Sequence, residues 1–130
     1  AIRTLLASVG LPTTPSPAVD TVDRFQGQER DVILASYSVA DRDFIRGEEE
    51  FILSARRFNV TLTRARSKFV MFVSDALLQH LPSDREVATD AAHLQLFATQ
   101  YCEPLGEIDV CFRDGGVEHA VHCRVRGRRG

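Results

Sequence analysis

Apolar residues recur along this chain with two different periods. In residues 2–9, Ile2, Leu5, Leu6 and Val9 fall on one helical stripe and Gly10 ends it, which predicts the end of an amphipathic helix. Three prolines in residues 11–17 predict a loop. Residues 18–22 predict a short strand. Residues 31–39 (Asp-Val-Ile-Leu-Ala-Ser-Tyr-Ser-Val) predict a stronger one, with a β-rich apolar centre. Residues 41–50 are mostly charged and predict a surface loop. Residues 54–66 predict a helix with Ser54 as its N-cap. The near-continuous apolar run at 68–74 suits a central parallel strand buried on both faces. Ser74 and Asp75 then open a short helix ending near Leu81 and Pro82. Residues 87–101 predict another helix, with Leu94, Phe97 and Ala98 among its apolar positions. Residues 107–112 and 117–125 flank Asp114-Gly115-Gly116 and predict a β-hairpin.

Strands alternating with helices predict an α/β fold: a mainly parallel sheet flanked by helices, with a C-terminal β-hairpin. Only about three core strands precede the hairpin, and a doubly wound domain usually has five or more. The first residues already lie within a helical pattern. The expectation is therefore one part of a larger protein.

Composition changes this picture little. The chain has 130 residues, 44% hydrophobic and 26% charged, which is the make-up of a globular domain and not of a disordered or collagen-like chain. No apolar run approaches the roughly 20 residues of a membrane helix. The opening residues do not read as a signal peptide. Three unclustered cysteines (Cys102, Cys111 and Cys123) point to a reducing, cytoplasmic or nuclear compartment and not to a disulfide scaffold. Net charge is −2, so the chain as a whole is no polyanion binder. The distribution matters more. Arg124, Arg126, Arg128 and Arg129 crowd the C-terminus, where a frayed, solvated end is expected. Any contact with nucleic acid must come from placed arginines and backbone amides.

Two segments carry candidate chemistry. Residues 21–32 read as a strand end, a polar turn at Gly27, and then a new strand. Gly27 lets backbone approach a ligand closely, and loops at the carboxyl ends of strands are where open α/β sheets bind ligands. A polar loop with a turn glycine also fits these residues. Residues 56–66 hold Arg56, Arg57, Arg64 and Arg66 with no acid among them. At 100° per residue, Phe58, Leu62 and Ala65 form an apolar stripe beside a polar one of Arg57, Thr61 and Arg64. Like charges this close oppose helix formation unless a partner neutralises them. A phosphate suits the guanidinium fork; a solvated basic face, or pairing with Glu48, Glu49 and Glu50, also fits.

Together the two segments resemble motifs V and VI of superfamily 1 helicases, in the branch of the nonsense-mediated-decay RNA helicase and the DNA nuclease-helicases. Motif V of that branch has the form Val-Asp-x-Phe/Tyr-Gln-Gly-x-Glu-x-Asp, and this chain has Val22-Asp23-Arg24-Phe25-Gln26-Gly27-Gln28-Glu29-Arg30-Asp31. Motif VI has the form Arg-Arg-x-Asn-Val-x-Leu-Thr-Arg-Ala-Arg, and this chain has Arg56-Arg57-Phe58-Asn59-Val60-Thr61-Leu62-Thr63-Arg64-Ala65-Arg66. The resemblance implies that residues 1–82 are part of the second of two RecA-like domains, with 83–130 as a C-terminal helix and hairpin extension. It implies ATP and Mg²⁺ in the cleft between the two domains, and single-stranded DNA or RNA as the track. Arg64 matches the arginine finger of motif VI. Gly27 and Glu29 match positions near the nucleotide, with Glu29 an acceptor for ribose or a coupler to nucleic acid. Arg57 and Arg66 would support the phosphate site or pair structurally. Thr21 and Val22 match the part of motif V that lies along the single strand.

The chain has no Gly-x-x-x-x-Gly-Lys-Ser/Thr phosphate loop and no Asp-Glu pair for Mg²⁺. In the family both belong to the first RecA-like domain, so this chain alone is expected to hydrolyse no ATP. A non-catalytic RecA-like module that binds nucleic acid or a partner, and an unrelated phosphate-binding α/β domain, remain as alternatives. In the hairpin, Cys111, His119, His122 and Cys123 match no standard zinc spacing, and no metal is expected there.

Overall fold

The computed structural model describes residues 19–25 and 27–128. The expected helix at 2–9 and loop at 11–17 lie outside the described residues. The protein is mixed α/β: a parallel two-stranded sheet with helices, followed by an antiparallel hairpin, as in a partial RecA-like domain. The chain divides into two compact units. One holds the described residues through Ser36 with Asn59–Phe72; the other holds Tyr37–Phe58 and the described residues from Val73 onward.

In the first unit the described residues of the expected strand, 19–22, do not form one. Asp20 Oδ1 accepts the Thr21 N–H at 2.9 Å, and the Thr21 carbonyl accepts the Arg24 N–H at 3.1 Å. These local bonds wind Val22–Phe25 into a 3-10 turn, since an Asp side chain competes for backbone donors that a strand would need. Strand β1 (Arg30–Tyr37) and strand β2 (Ala65–Val73) form where expected. Their alignment is parallel: the Arg30 N–H donates to the Arg64 carbonyl at one end, and the Ser74 N–H to the Tyr37 carbonyl at the other. Neither strand is sealed on both faces. Val32 and Leu34 on β1 and Phe72 on β2 are at least half exposed, because among the described residues each strand has only the other as its neighbour.

Helix α3 (Ala55–Thr63) connects the strands. Ser54 caps it, its Oγ accepting from the Arg57 N–H at 3.4 Å. The helix stops three residues short of the expected end. Thr63 Oγ1 donates to the Asn59 and Val60 carbonyls, and the Arg64 N–H falls back to the Thr61 carbonyl. Ala65 and Arg66 therefore begin β2, and Thr61, expected on a polar stripe, is buried.

In the second unit, residues 41–50 are not a loop. They form helix α1 (Arg42–Gly47) and the opening of helix α2 (Glu49–Ile52). Asp41 caps α1 by accepting from the Asp43 and Phe44 N–H groups, and Ile45 and Leu53 bury completely. They join Leu77 and Ala91 in one apolar cluster. Leu77 belongs to helix α4 (Asp75–Leu78), capped by Ser74. Ala91 belongs to helix α5 (Arg85–Leu96), capped by Asp84. Helix α5 passes into a π-type turn at Phe97–Tyr101, where Phe97 and Tyr101 stack at 5.4 Å.

The hairpin is longer than expected: β3 (Glu103–Asp114) pairs with β4 (Val117–Gly127). Gly115 (φ 55°) and Gly116 (φ 83°) both take left-handed backbone, the demand of a two-residue type I′ turn. One face is apolar and exposed (Ile108, Val110, Phe112 and Val121), and the other is charged. The terminal arginines are not frayed through Arg128. Arg124 pairs with Asp75, Arg126 donates to the Thr99 and Cys102 carbonyls, and Arg128 lies over the Tyr101 ring. No helix among the described residues is long and apolar enough to cross a membrane.

Candidate functional site

The parallel pairing of β1 with β2 brings the two motif segments together. Each segment ends where a strand begins, and in a parallel pair both entrances lie at the same end of the sheet. The contact is direct: the Arg30 N–H bonds the Arg64 carbonyl at 2.9 Å. Beside it, Arg66 Nε meets Glu29 Oε2 at 3.1 Å. Both side chains are more than half exposed, so the pair sits open to water.

Arg64 occupies the corner between α3 and β2, with no loop between them. Its side chain is half-buried, and its Nε is buried with no hydrogen-bond partner among the described residues. A buried donor left without an acceptor costs stability. Such an unmatched donor is open to an acceptor from outside the described residues, a water or ion included.

Gly27 sits in the turn before Glu29 with φ 78°, and a side chain there would meet nothing within 4 Å among the described residues. The glycine is favoured by the backbone angle. Arg30 braces this loop by donating to the Glu29 carbonyl and to Gln28 Oε1. Thr21 and Val22 lie at the 3-10 turn, Thr21 exposed and Val22 half-buried. Arg57 belongs to the second unit, where its guanidinium covers the Phe51 ring at 3.9 Å, a cation–π contact.

Two features escaped the sequence reading. Arg30 was not singled out, although it alternates with Gln28, Glu29 and Asp31. The Glu29–Arg66 pair spans 37 residues, and it forms because β1 and β2 lie side by side, which neither segment encodes locally.

In the hairpin, the four candidate metal ligands fall two on each face. His119 stacks on Phe112 at 5.2 Å and Cys123 lies opposite Ile108; Cys111 and His122 lie on the charged face. His122 contacts Asp109 at 2.8 Å and Glu107 at 3.3 Å. The hydrogen bond to Asp109, aided by the charge of Glu107, raises its pKa above the usual histidine range. Cys102 has its thiol pKa raised by burial, partly offset by Arg126.

Comparison with known proteins decides the family. The model of a family described as "AAA domain" matches residues 2–76, more than half of the chain. The chain belongs to this AAA-domain family, and it is of the superfamily 1 helicase type. The DNA replication ATP-dependent helicase/nuclease JHS1 of Arabidopsis thaliana is 38% identical over 73 residues, which is 55% of this chain and 5% of the relative. The probable RNA helicase armi of Drosophila melanogaster is 36% identical over 66 residues, 48% of this chain and 6% of its own length. The helicase/nuclease DNA2 of Mus musculus is 38% identical over 64 residues, 49% of this chain and 6% of its own. The chain thus spans about a twentieth of the length of these curated relatives. No solved structure matches it.

Proposed function

We propose that this chain is the second-domain part of an ATP-dependent superfamily 1 helicase motor, with Arg64 as its arginine finger. In this reading residues 1–82 belong to the second RecA-like domain and residues 83–130 are an extension. ATP binds against a first RecA-like domain supplied by the rest of a longer polypeptide, and Mg²⁺ arrives with it on that domain's acidic ligands. Arg64 reaches the γ-phosphate and neutralises charge that grows as the phosphoryl group transfers. Gly27 opens the loop to the nucleotide and Glu29 faces its sugar. Arg57 and Arg66 are supporting residues. Thr21 and Val22 lie along single-stranded DNA or RNA, holding backbone without reading sequence. The work is done in the cytosol or nucleus.

The observation that carries the reading is Arg64 itself. It stands at the entrance of β2, bonded through its carbonyl to the end of motif V, with a buried Nε that no group among the described residues satisfies. The family supplies the chemistry that would satisfy it.

The test is single-strand-stimulated ATPase activity of the full-length protein, wild type against Arg64→Ala. Turnover should fall by about 10³-fold or more, the usual worth of an arginine finger, with nucleotide binding retained. The isolated 130-residue chain should show no turnover. Unchanged activity in Arg64→Ala, or turnover by the isolated chain, would refute the motor-half reading in favour of a binding module.

A further inference from the structure

We infer that Asp90 is a positioning residue for motif VI, through which the C-terminal extension sets where Arg64 stands. The inference rests on the motor reading above. It gives a part in the motor to residues 83–130, which lie beyond the family match.

The argument starts from an electrostatic fault in the motif. A helix favours acids in its first turn, where backbone N–H groups lack partners and the helix dipole is positive. Helix α3 opens instead with Ala55-Arg56-Arg57, and its first turn holds no acid. Its own cap is long, with Ser54 Oγ accepting from the Arg57 N–H at 3.4 Å. The missing acid comes from another helix. Asp90 belongs to α5, and its Oδ2 accepts from the Ala55 N–H at 3.1 Å. That bond is partly buried and joins residues 35 apart in sequence. Three residues further into α3, buried Phe58 meets Phe97 edge-on at 5.4 Å, and Phe97 stacks on Tyr101. Ala55, Phe58, Asp90 and Phe97 all belong to the second compact unit. The extension therefore grips the start of α3 at two points, one polar and one aromatic.

What is held at the start of a helix is felt at its end. Backbone hydrogen bonds make the nine residues of α3 a stiff rod, about 13 Å long. Arg64 follows Thr63 without a loop. The aromatic contact holds the rod against its neighbour, and the directional hydrogen bond fixes where it starts. Without Asp90 the helix stays packed but loses its register, and a misplaced catalytic group loses rate.

The experiment measures single-strand-stimulated kcat and KM for ATP with the full-length protein in a double-mutant cycle. Asp90→Ala should lower kcat by about tenfold with KM within about twofold, the pattern of an interaction felt in the transition state. In an Arg64→Ala background the same change should cost less than about twofold, because Asp90 acts through Arg64. Asp90→Asn, which keeps an acceptor, should recover most of the rate. Asp90→Ser, with a shorter side chain, carries the same expectation as alanine should that variant not fold. Asp41→Ala removes a cap of the same kind from α1 in the same unit, and should leave kcat within about twofold. Asp90→Ala with the kcat of wild type would overturn the inference. So would a loss that persists in the Arg64→Ala background, or one that Asp41→Ala reproduces, since either makes Asp90 merely structural. In those cases the motor reading stands. A wild type indifferent to Arg64→Ala removes both.

Discussion

The motif-bearing strand entrances and the C-terminal hairpin handle charge in contrasting ways. At the entrances, Arg64 leaves a buried Nε with no partner among the described residues, and apolar Val32, Leu34 and Phe72 are exposed on the strands. In the hairpin, Arg113 meets Glu118 at 2.6 Å, His122 meets Asp109 and Glu107, and Arg124 meets Asp75. Arg126 ties down two carbonyls of the preceding turn. The first region tolerates unfinished interactions, which natural structures keep mainly where a ligand or function requires them. The hairpin pairs most of these charged groups with one another, although its apolar face of Ile108, Val110, Phe112 and Val121 is exposed like that of the strands. The family match follows the same division, covering residues 2–76 and leaving out the hairpin.

If that contrast is physical, stability and activity should separate. The largest stability effect is expected from Leu77→Ala. Leu77 is fully buried with Ile45, Leu53 and Ala91, and truncation should cost about 2–5 kcal/mol in denaturant unfolding, from lost burial plus a cavity. Arg64→Ala should move the same transition by roughly 0.5 kcal/mol or less, since it breaks no side-chain hydrogen bond at Nε. Comparable losses from both would erase the contrast.

A smaller effect is expected from Asp84→Ala. Its carboxylate accepts from the Glu86 and Val87 N–H groups at the start of α5. Removal should cost about 1 kcal/mol, and Asp84→Asn should restore most of it.

The smallest effect concerns pH. The pKa of His122 is raised by Asp109 and Glu107. Its protonated form is thus the one the folded hairpin favours. The stabilisation is complete below the histidine's unfolded pKa and is lost as pH rises through the raised folded value. NMR titration should show His122 titrating above an unstructured histidine, and Asp109→Asn should bring it back down. An unshifted His122 would remove this pair from the list of completed interactions.

Much of this was legible in the sequence, for reasons that differ by element. Strands 31–39 and 68–74 and the helix at 87–101 announced themselves by local period and composition, and Asp114-Gly115-Gly116 by turn chemistry. Residues 41–50 did not. Two helices of six and four residues carry too little periodicity to read, and they exist because Ile45 and Leu53 reach a core assembled from distant segments. At 19–22 a side-chain bond from Asp20 takes the place of the expected strand. Burial of β2 on both faces was misjudged because it depends on neighbouring strands, which a local apolar run does not encode. At the site, the identities of Gly27, Glu29, Arg64 and Arg66 were readable from motif order and spacing. The partnership of Glu29 with Arg66 was readable only through the pairing of the strands they precede.

The central claim is that Arg64 acts on the transferring phosphoryl group. It is tested most directly by comparing the affinities of wild-type and Arg64→Ala full-length protein for ATP and for ADP with aluminium fluoride, a mimic of the transition state. A finger stabilises the transition state more than the ground state. The account predicts ATP affinity within a few-fold of wild type and loss of most of the tight binding of the mimic. Equal losses for both ligands, or none for either, would contradict it.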